Sequence, residues 1–407
     1  MKIVRIITRL NIGGPSVHVG LLSTLLDRSR FDTCLVTGTV GEKEGDLGPR
    51  ISARGARMIR LATLTRSPHP VRDLSTWFRL LSILRAERPR ILHTHMAKAG
   101  TLGRLAGLFY NRLGPGRNPK NRMILIHTYH GHVLEGYFSA WVSNRFTAIE
   151  RWLSRWTDCL IAVSPRIRDD LLGKGIGRKE SWRVIPLGLD LSNLLDLSLP
   201  NGDLPLRCGM VGRLVPIKNP SLFLQALSRS ARAGDSPAPR GIIVGEGPLR
   251  DSLEKEAQRI GLGDRVRFTG WQQDLRCCYQ EMDIACVTSL NEGTPVSLIE
   301  AMAAGRAVIA TDVGGVRDLL DTQAEGTPPI PAEGFRITPV GVLIRSQDAQ
   351  GLAAALAHLA QNPSLRRSLG ETARRHVRER YGHERLIGDL SRLYEQLTRE
   401  GSPSPSV

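Results

Sequence analysis

The chain has 407 residues, 41% hydrophobic and 23% charged, with a formal net charge of +17. That length predicts two domains, and that composition excludes a disordered chain. Six cysteines with no C-x-x-C and no Cys/His run exclude a disulfide framework and a zinc module, leaving reduced thiols in a cytosolic protein as the reading.

The charge is unevenly placed. Residues 1–200 hold 31 Lys+Arg against 15 Asp+Glu, whereas residues 201–407 hold 25 against 24. This asymmetry predicts an anionic partner for the first half: a membrane surface, a phospholipid-like substrate or nucleic acid. The ordinary alternative is a set of solvated arginines.

In chain order, "MKIVRIITRL" predicts a buried strand feeding the loop "NIGG". Arg5 and Arg9 interrupt its apolar run, which argues against a signal peptide. No stretch approaches the ~18 apolar residues of a spanning helix. Further strands are expected at "DTCLVTG", "RILHTH", "RMILIHTYH", "CLIAVS" and "WRVIPLG", with helices over Val17–Leu26, Leu74–Ala86, Gly100–Tyr110, Asn144–Trp156 and Pro165–Gly173. Between Leu191 and Arg207, Pro, Gly, Asn and Asp break all periodicity, which marks a domain boundary.

The second half repeats the scheme. Strands are expected at "RCGMVGRL", "RGIIVGEG", "RVRFTG", "DIACVTS" and "AVIATD", and helices over Pro220–Arg232, Pro248–Ile260, Leu275–Met282, Pro295–Ala304 and Gly351–Gln361. The alternation predicts an α/β protein with two Rossmann-like domains, their parallel sheets facing across a cleft. The expected divisions are 1–195, 205–380, a C-terminal helix over 381–400 crossing back to the first domain, and a disordered tail over 401–407. Ligands in such sheets bind at the carboxyl ends of the strands.

Two stretches carry candidate chemistry. In "NEGTPVSLIEAMAAG", Thr294 suits a helix N-cap and Pro295 the first helical position, so Glu292 and Gly293 fall just outside a helix start and Glu300 inside it. A helix start offers unpaired N–H groups, here those near Thr294 and Val296, to an anion. The two carboxylates would accept hydroxyls of a sugar and a ribose. In "GMVGRLVPIKNP", Gly212, Arg213 and Lys218 follow a buried strand, and two cations there suit a diphosphate. One such contact at 4 Å is worth on the order of 4 kcal/mol of raw Coulomb attraction near a surface.

Other signals are weaker. His93, His95, His127, His130 and His132 cluster, but no Cys or acid nearby completes a zinc set. "GEGPLR" lacks the third glycine of a dinucleotide fingerprint, which disfavours a hydride-transferring enzyme. Tyr129, Tyr137, Phe138 and Trp141 read either as core or as a hydrophobic wall that faces an acceptor or dips into a membrane.

The order and spacing of "GRLVPIKN", "VGEGPLRDSLE" and "NEGTPVSLIEAMAAGRAVIATDVGGVRDLL" resemble glycosyltransferase family 4, the retaining GT-B enzymes of group 1. In the first half, "RLNIGGPSVHV", "ILHTHMAKAGTLGRLAG", "HTYHGHVLEGYFS" and "DCLIAVSPRIRDDLL" are similar too, so the resemblance spans nearly the whole chain. It implies a nucleotide-sugar donor, UDP-linked by preference, held by the second domain, and a cell-surface glycan or polyprenyl-linked acceptor held by the first. It implies that Glu292 meets the donor sugar, Glu300 the ribose, and Arg213 and Lys218 the diphosphate. Gly13 and Gly14 would approach the diphosphate, and His130 matches the family's active-site histidine. The resemblance also implies that no metal or other cofactor is used. With the charge asymmetry, the reading is a cytoplasmic enzyme in peripheral contact with an anionic membrane. The competing readings are a UDP-N-acetylglucosamine 2-epimerase-like enzyme and a non-catalytic anionic-ligand-binding protein; a nucleic-acid partner is not expected.

Overall fold

The computed structural model describes residues 1–41, 45–131, 140–202, 205–232, 237–321, 329–332 and 334–400, without the side chains of 140–142, 231 and 232. The tail expected over 401–407 lies outside the described residues. Contacts divide the chain into two units, Met1–Leu189 with the segment from His383, and Asp190–Gly382.

The first unit is built on β1 (Lys2–Ile7), β2 (Asp32–Thr37), β3 (Arg57–Arg60), β4 (Ile91–His95), β5 (Ile124–Tyr129), β6 (Cys159–Ala162) and β7 (Trp182–Val184). All pair in parallel in the order β3-β2-β1-β4-β5-β6-β7. Alternate residues face opposite layers. Val4, Ile6, Leu92 and Leu125 pack with Leu80, Leu81 and Leu84 of the helix Pro70–Glu87 and with the helix Ala97–Leu113. Ile3, Ile91, Ile126 and Ile161 pack with Leu22 of the helix Gly14–Thr24 and with Leu386, Leu390 and Tyr394 of the helix His383–Arg399.

The second unit comprises β8 (Arg207–Val211), β9 (Arg240–Val244), β10 (Val266–Gly270), β11 (Ile284–Val287), β12 (Ala307–Thr311), β13 (Phe335–Thr338) and β14 (Gly341–Ile344). Their order is β10-β9-β8-β11-β12-β14-β13, parallel except for β13, which returns antiparallel through a short turn. Its core is continuous from Met210 and Phe223 to Ile309 and Leu356.

In both sheets the strand order reverses beside the first strand, between β1 and β4 and between β8 and β11. Such a switch point opens a crevice at the carboxyl ends of the strands, the natural ligand position. Residues 190–200 join the second unit, whereas the sequence reading ran the first domain to 195. The cause is local: Arg374 donates to the Leu197 carbonyl at 2.5 Å and Arg306 to that of Ser198, fastening this stretch to the helix Pro363–Tyr381 and to β12.

Candidate active site

The second unit's switch point is formed by three loops that hold one another. Gly212 N–H donates to Val244 O at 2.9 Å, Leu214 N–H to Glu246 O at 2.9 Å, and Gly245 N–H to Gly270 O at 2.8 Å. Gly245 has φ +137, and a Cβ there would meet Gly212 O at 2.0 Å; at Gly247 it would meet Leu214 O at 2.3 Å. "GEG" therefore serves close backbone approach to the "GRL" loop.

Beyond it, Leu290 N–H donates to Ile217 O at 2.8 Å and Thr288 Oγ1 to Lys218 O at 3.0 Å, drawing the end of β11 onto the turn that carries Lys218. Lys218 and Glu292 form an ion pair there, and Ser289 Oγ donates to the same carboxylate oxygen at 2.6 Å. Glu292 is thus a nearly buried carboxylate held from two sides, with 9% of its side chain exposed. Its carbonyl accepts Gly315 N–H at 3.1 Å, and Gly314 has φ +49, where a Cβ would lie 1.9 Å from that carbonyl, so the position needs glycine. Arg213, by contrast, is exposed.

The helix following this loop is Val296–Ala303, one residue shorter at each end than expected. Pro295, not Thr294, is the N-cap, and Thr294 Oγ1 caps nothing. The Pro295 carbonyl accepts Leu298 N–H at 3.2 Å and Ile299 N–H at 3.3 Å, which starts the helix one residue late and leaves the amides of Val296 and Ser297 at its open end. Glu300 lies further along, partly buried, with the Tyr279 hydroxyl 3.2 Å away; that hydroxyl is also 3.0 Å from Ser297 O. Burial raises the Glu300 carboxyl from an ordinary 4.5 to about 7, against the smaller downward pull of Tyr279. One hydroxyl proton cannot serve both acceptors at once. Ionised, Glu300 accepts from Tyr279; protonated, it can donate to Tyr279 while Tyr279 donates to Ser297.

In the first unit, β1 leads into Gly13, whose φ of 165 is ordinary extended backbone and whose missing Cβ would meet nothing within 4 Å. Gly14 and Pro15 then start the helix that carries His18. Beside them stand His95 at the end of β4 and His130 just past β5, with Nδ1 of one 3.0 Å from Nε2 of the other. Beneath, His93 lies 2.7 Å from both the Tyr394 hydroxyl and Thr128 Oγ1. Burial lowers all of these imidazoles, His130 to about 4 and His18, His93, His95 and His127 well below their ordinary value. At neutral pH they are uncharged hydrogen-bonding groups.

Ligand nitrogens of His18, His95 and His130 come within 4.8 Å of one another. The fully buried Arg5 guanidinium lies 5.9 Å from the centre of the Tyr394 ring and acts electrostatically on both His18 and His95. Its positive charge opposes a dication at that place. Tyr129, weighed as a membrane or acceptor wall, is instead interior: its hydroxyl donates to Glu150 at 2.5 Å, and Glu150 also pairs with buried Arg104 at 2.6 Å. His132, Tyr137 and Phe138, and the side chain of Trp141, lie outside the described residues.

The family pattern described as "Glycosyl transferases group 1" matches residues 203–376, and "Glycosyl transferase 4-like domain" matches residues 13–188. Together they cover the candidate residues of both units. The chain belongs to the group 1 glycosyltransferases. Among its relatives is the Escherichia coli UDP-Gal:alpha-D-GlcNAc-diphosphoundecaprenol alpha-1,3-galactosyltransferase, 26% identical over 74% of this chain and 77% of that one. Another is the lipopolysaccharide core biosynthesis mannosyltransferase LpcC of Rhizobium leguminosarum bv. viciae, 27% identical over 64% of this chain and 70% of that one. The fold is that of Anabaena Alr3699/HepE, solved with UDP and glucose (TM-score 0.76, 18% identity, 98% of this chain and 100% of that one). Sucrose-phosphate synthase from Thermosynechococcus elongatus is similar to the same degree (TM-score 0.76, 22% identity, 98% and 100%).

In this glycosyltransferase the candidate residues form two groups. Gly212, Arg213, Lys218, Glu292, Gly293, Thr294, Val296 and Glu300 surround the second unit's switch point. Gly13, Gly14 and His130 surround the first unit's. Sequence reasoning missed Ser289, Tyr279, Arg5 and Tyr394, which support the others. Arg5 left a trace as the charge interrupting an otherwise apolar strand. Tyr279 left none, because it reaches Glu300 from another helix.

Proposed function

We propose that this GT-B glycosyltransferase moves a sugar from a UDP-sugar to a lipid-linked or cell-surface glycan acceptor, with retention of anomeric configuration and without a metal. The observation that carries the reading is the Lys218–Glu292 pair at the β8/β11 switch point, beside exposed Arg213 and the open helix start at Val296. Arg213, Lys218 and the Val296 amide take up the charge that grows on the diphosphate as the anomeric bond breaks, the part a divalent ion would otherwise play. Glu292, held in place by Lys218 and Ser289, accepts sugar hydroxyls, and Glu300 accepts those of the ribose. Neutral His130 donates or accepts a hydrogen bond without adding charge. Among the described residues no side chain stands out as a covalent nucleophile, which favours attack from the face the nucleotide leaves. UDP and the lipid-linked acceptor are supported by the complexes and names of similar proteins.

The test is calorimetric titration with UDP, GDP and ADP. UDP is expected to bind in the micromolar range, and Arg213→Ala to weaken it and to cut turnover by about 10²–10³, the usual effect of losing one such donor. Preference for GDP or ADP would redirect the donor assignment. Loss of turnover on adding EDTA, restored by a divalent ion, would overturn the metal-free reading.

A further inference from the structure

The helix Pro70–Glu87 buries Thr76, Leu80, Leu81 and Leu84. On its opposite face Val71, Leu74 and Phe78 stand 72%, 58% and 57% exposed. Spacing of three and four residues puts them on one stripe, which Ser82 and Arg85 continue. Isolated exposed apolar residues are unremarkable, but three in line on a helix surface are not. Phe78 is also braced: its ring meets Trp77 edge-on at 4.8 Å, and Trp77 meets Phe109 of the neighbouring helix at 5.3 Å.

The segment that carries the stripe is rich in cations. Residues 66–122 hold twelve Lys+Arg and only two Asp+Glu, although Arg104 and Arg122 are taken up by Glu150 and Asp158 away from it. Both acids are already engaged, Asp73 with Lys98 at 2.5 Å and Glu87 with Lys2 at 3.3 Å and with Arg57. Arg72, Arg79 and Arg85 are exposed along the stripe. We propose that this face of the helix docks on an anionic lipid bilayer, with Val71, Leu74 and Phe78 entering the headgroup boundary and Arg72, Arg79 and Arg85 on the lipid phosphates.

A second copy of the chain is a poorer occupant, since a two-fold contact would set arginine against arginine. A bilayer surface is negative and accepts aromatic and aliphatic side chains at the same depth. The location serves the chemistry as well. The helix starts at the carboxyl edge of the first unit's sheet, tied by Lys98 Nζ, which donates to Ser67 O at 2.6 Å, to the helix that follows His95. The stripe therefore begins, at Val71, on the edge that presents His95 and His130 and runs back from it along the helix. The purpose, though not the surface itself, rests on the lipid-linked reading of the acceptor.

The test is flotation of the full chain with phosphatidylcholine vesicles containing or lacking phosphatidylglycerol, at low and high salt. Wild-type protein is expected to float with the anionic vesicles and to be released by salt. Leu74→Asp/Phe78→Asp should bind them at least tenfold more weakly, and Arg72→Glu/Arg79→Glu should lose the salt-sensitive part. Both pairs are exposed, so UDP titration and melting should be unchanged; intact UDP binding separates failure of this surface from failure of the transferase reading. Equal flotation of the variants, no flotation of the wild type, or a stripe variant that instead dissociates a dimer in light scattering would each overturn the proposal.

Discussion

Glu300 is a candidate ligand-binding carboxylate whose acidity is unlike that of its type. Its carboxyl sits at about 7 because burial penalises the charged form. The folded value is raised above the unfolded one, so the stability linked to this proton is fully present below 4.5 and lost as pH rises through 7. Ligand binding runs the other way. A ribose hydroxyl donating to Glu300 favours the carboxylate, so UDP binding should release a proton near pH 6–7 and strengthen as pH rises, levelling above 7. Calorimetry in buffers of different ionisation enthalpy reads that proton directly. Glu300→Gln should abolish the release and flatten the profile. Proton release that persists in Glu300→Gln would move the linkage to another group and remove Glu300 from the ribose.

At the scale of elements, glycine positions divide into those the fold needs and those it leaves open. Gly245→Ala would drive a Cβ into the Gly212 carbonyl at a φ of +137, so it should cost about 2–3 kcal/mol and disturb the loop proposed to meet the diphosphate. Gly13→Ala meets no atom within 4 Å on ordinary extended backbone, so melting should stay unchanged while turnover falls, if the space there belongs to the donor. Denaturant unfolding of both variants beside steady-state rates separates the two roles; a destabilised Gly13→Ala would make that glycine structural.

The same scale shows what was legible beforehand. The helices Pro220–Arg232 and Pro165–Gly173 lie where apolar periodicity and an initial proline placed them. The strand Arg57–Arg60 was not legible, because "RMIR" is a short edge strand with charged ends and no buried alternation. In the hairpin Phe335–Ile344, β13 was missed for a related reason, being itself a partly exposed edge, and β14 because "GVLI" is a four-residue buried run that shows no periodicity. At the site, Glu292, Lys218 and Arg213 were readable from spacing along the chain. The residues that meet Glu300 and His93, Tyr279 and Tyr394, were not, because they lie 21 and 301 residues away and come close only on folding.

For the whole molecule, two units with separate cores predict two thermodynamic responses. The helix His383–Arg399 is the last described element, yet it packs in the first unit, where Leu386, Leu390, Tyr394 and Leu397 cover Ile3, Ile91 and Ile126. Leu390 is 1% exposed, so Leu390→Ala should destabilise the first unit by about 2–5 kcal/mol, the range for deleting a buried leucine side chain. UDP, which the proposed site holds in the second unit, should stabilise only that unit, by ~2.7 kcal/mol at a hundred times its Kd. Scanning calorimetry with and without UDP should show the nucleotide moving one transition and Leu390→Ala the other. The histidines add a check on which is which. His18, His93, His95, His127 and His130 are held neutral in the first unit, and groups with depressed folded values lose their contribution as pH falls from 6.5 through those values. The Leu390-sensitive transition should therefore drop steeply between pH 6.5 and 4, whereas Glu300 gives the UDP-sensitive one a component of opposite slope. A nucleotide affinity weakened by Leu390→Ala at a temperature where the variant is still native would mean that the C-terminal helix communicates with the donor site, and the two responses would have to be treated as one.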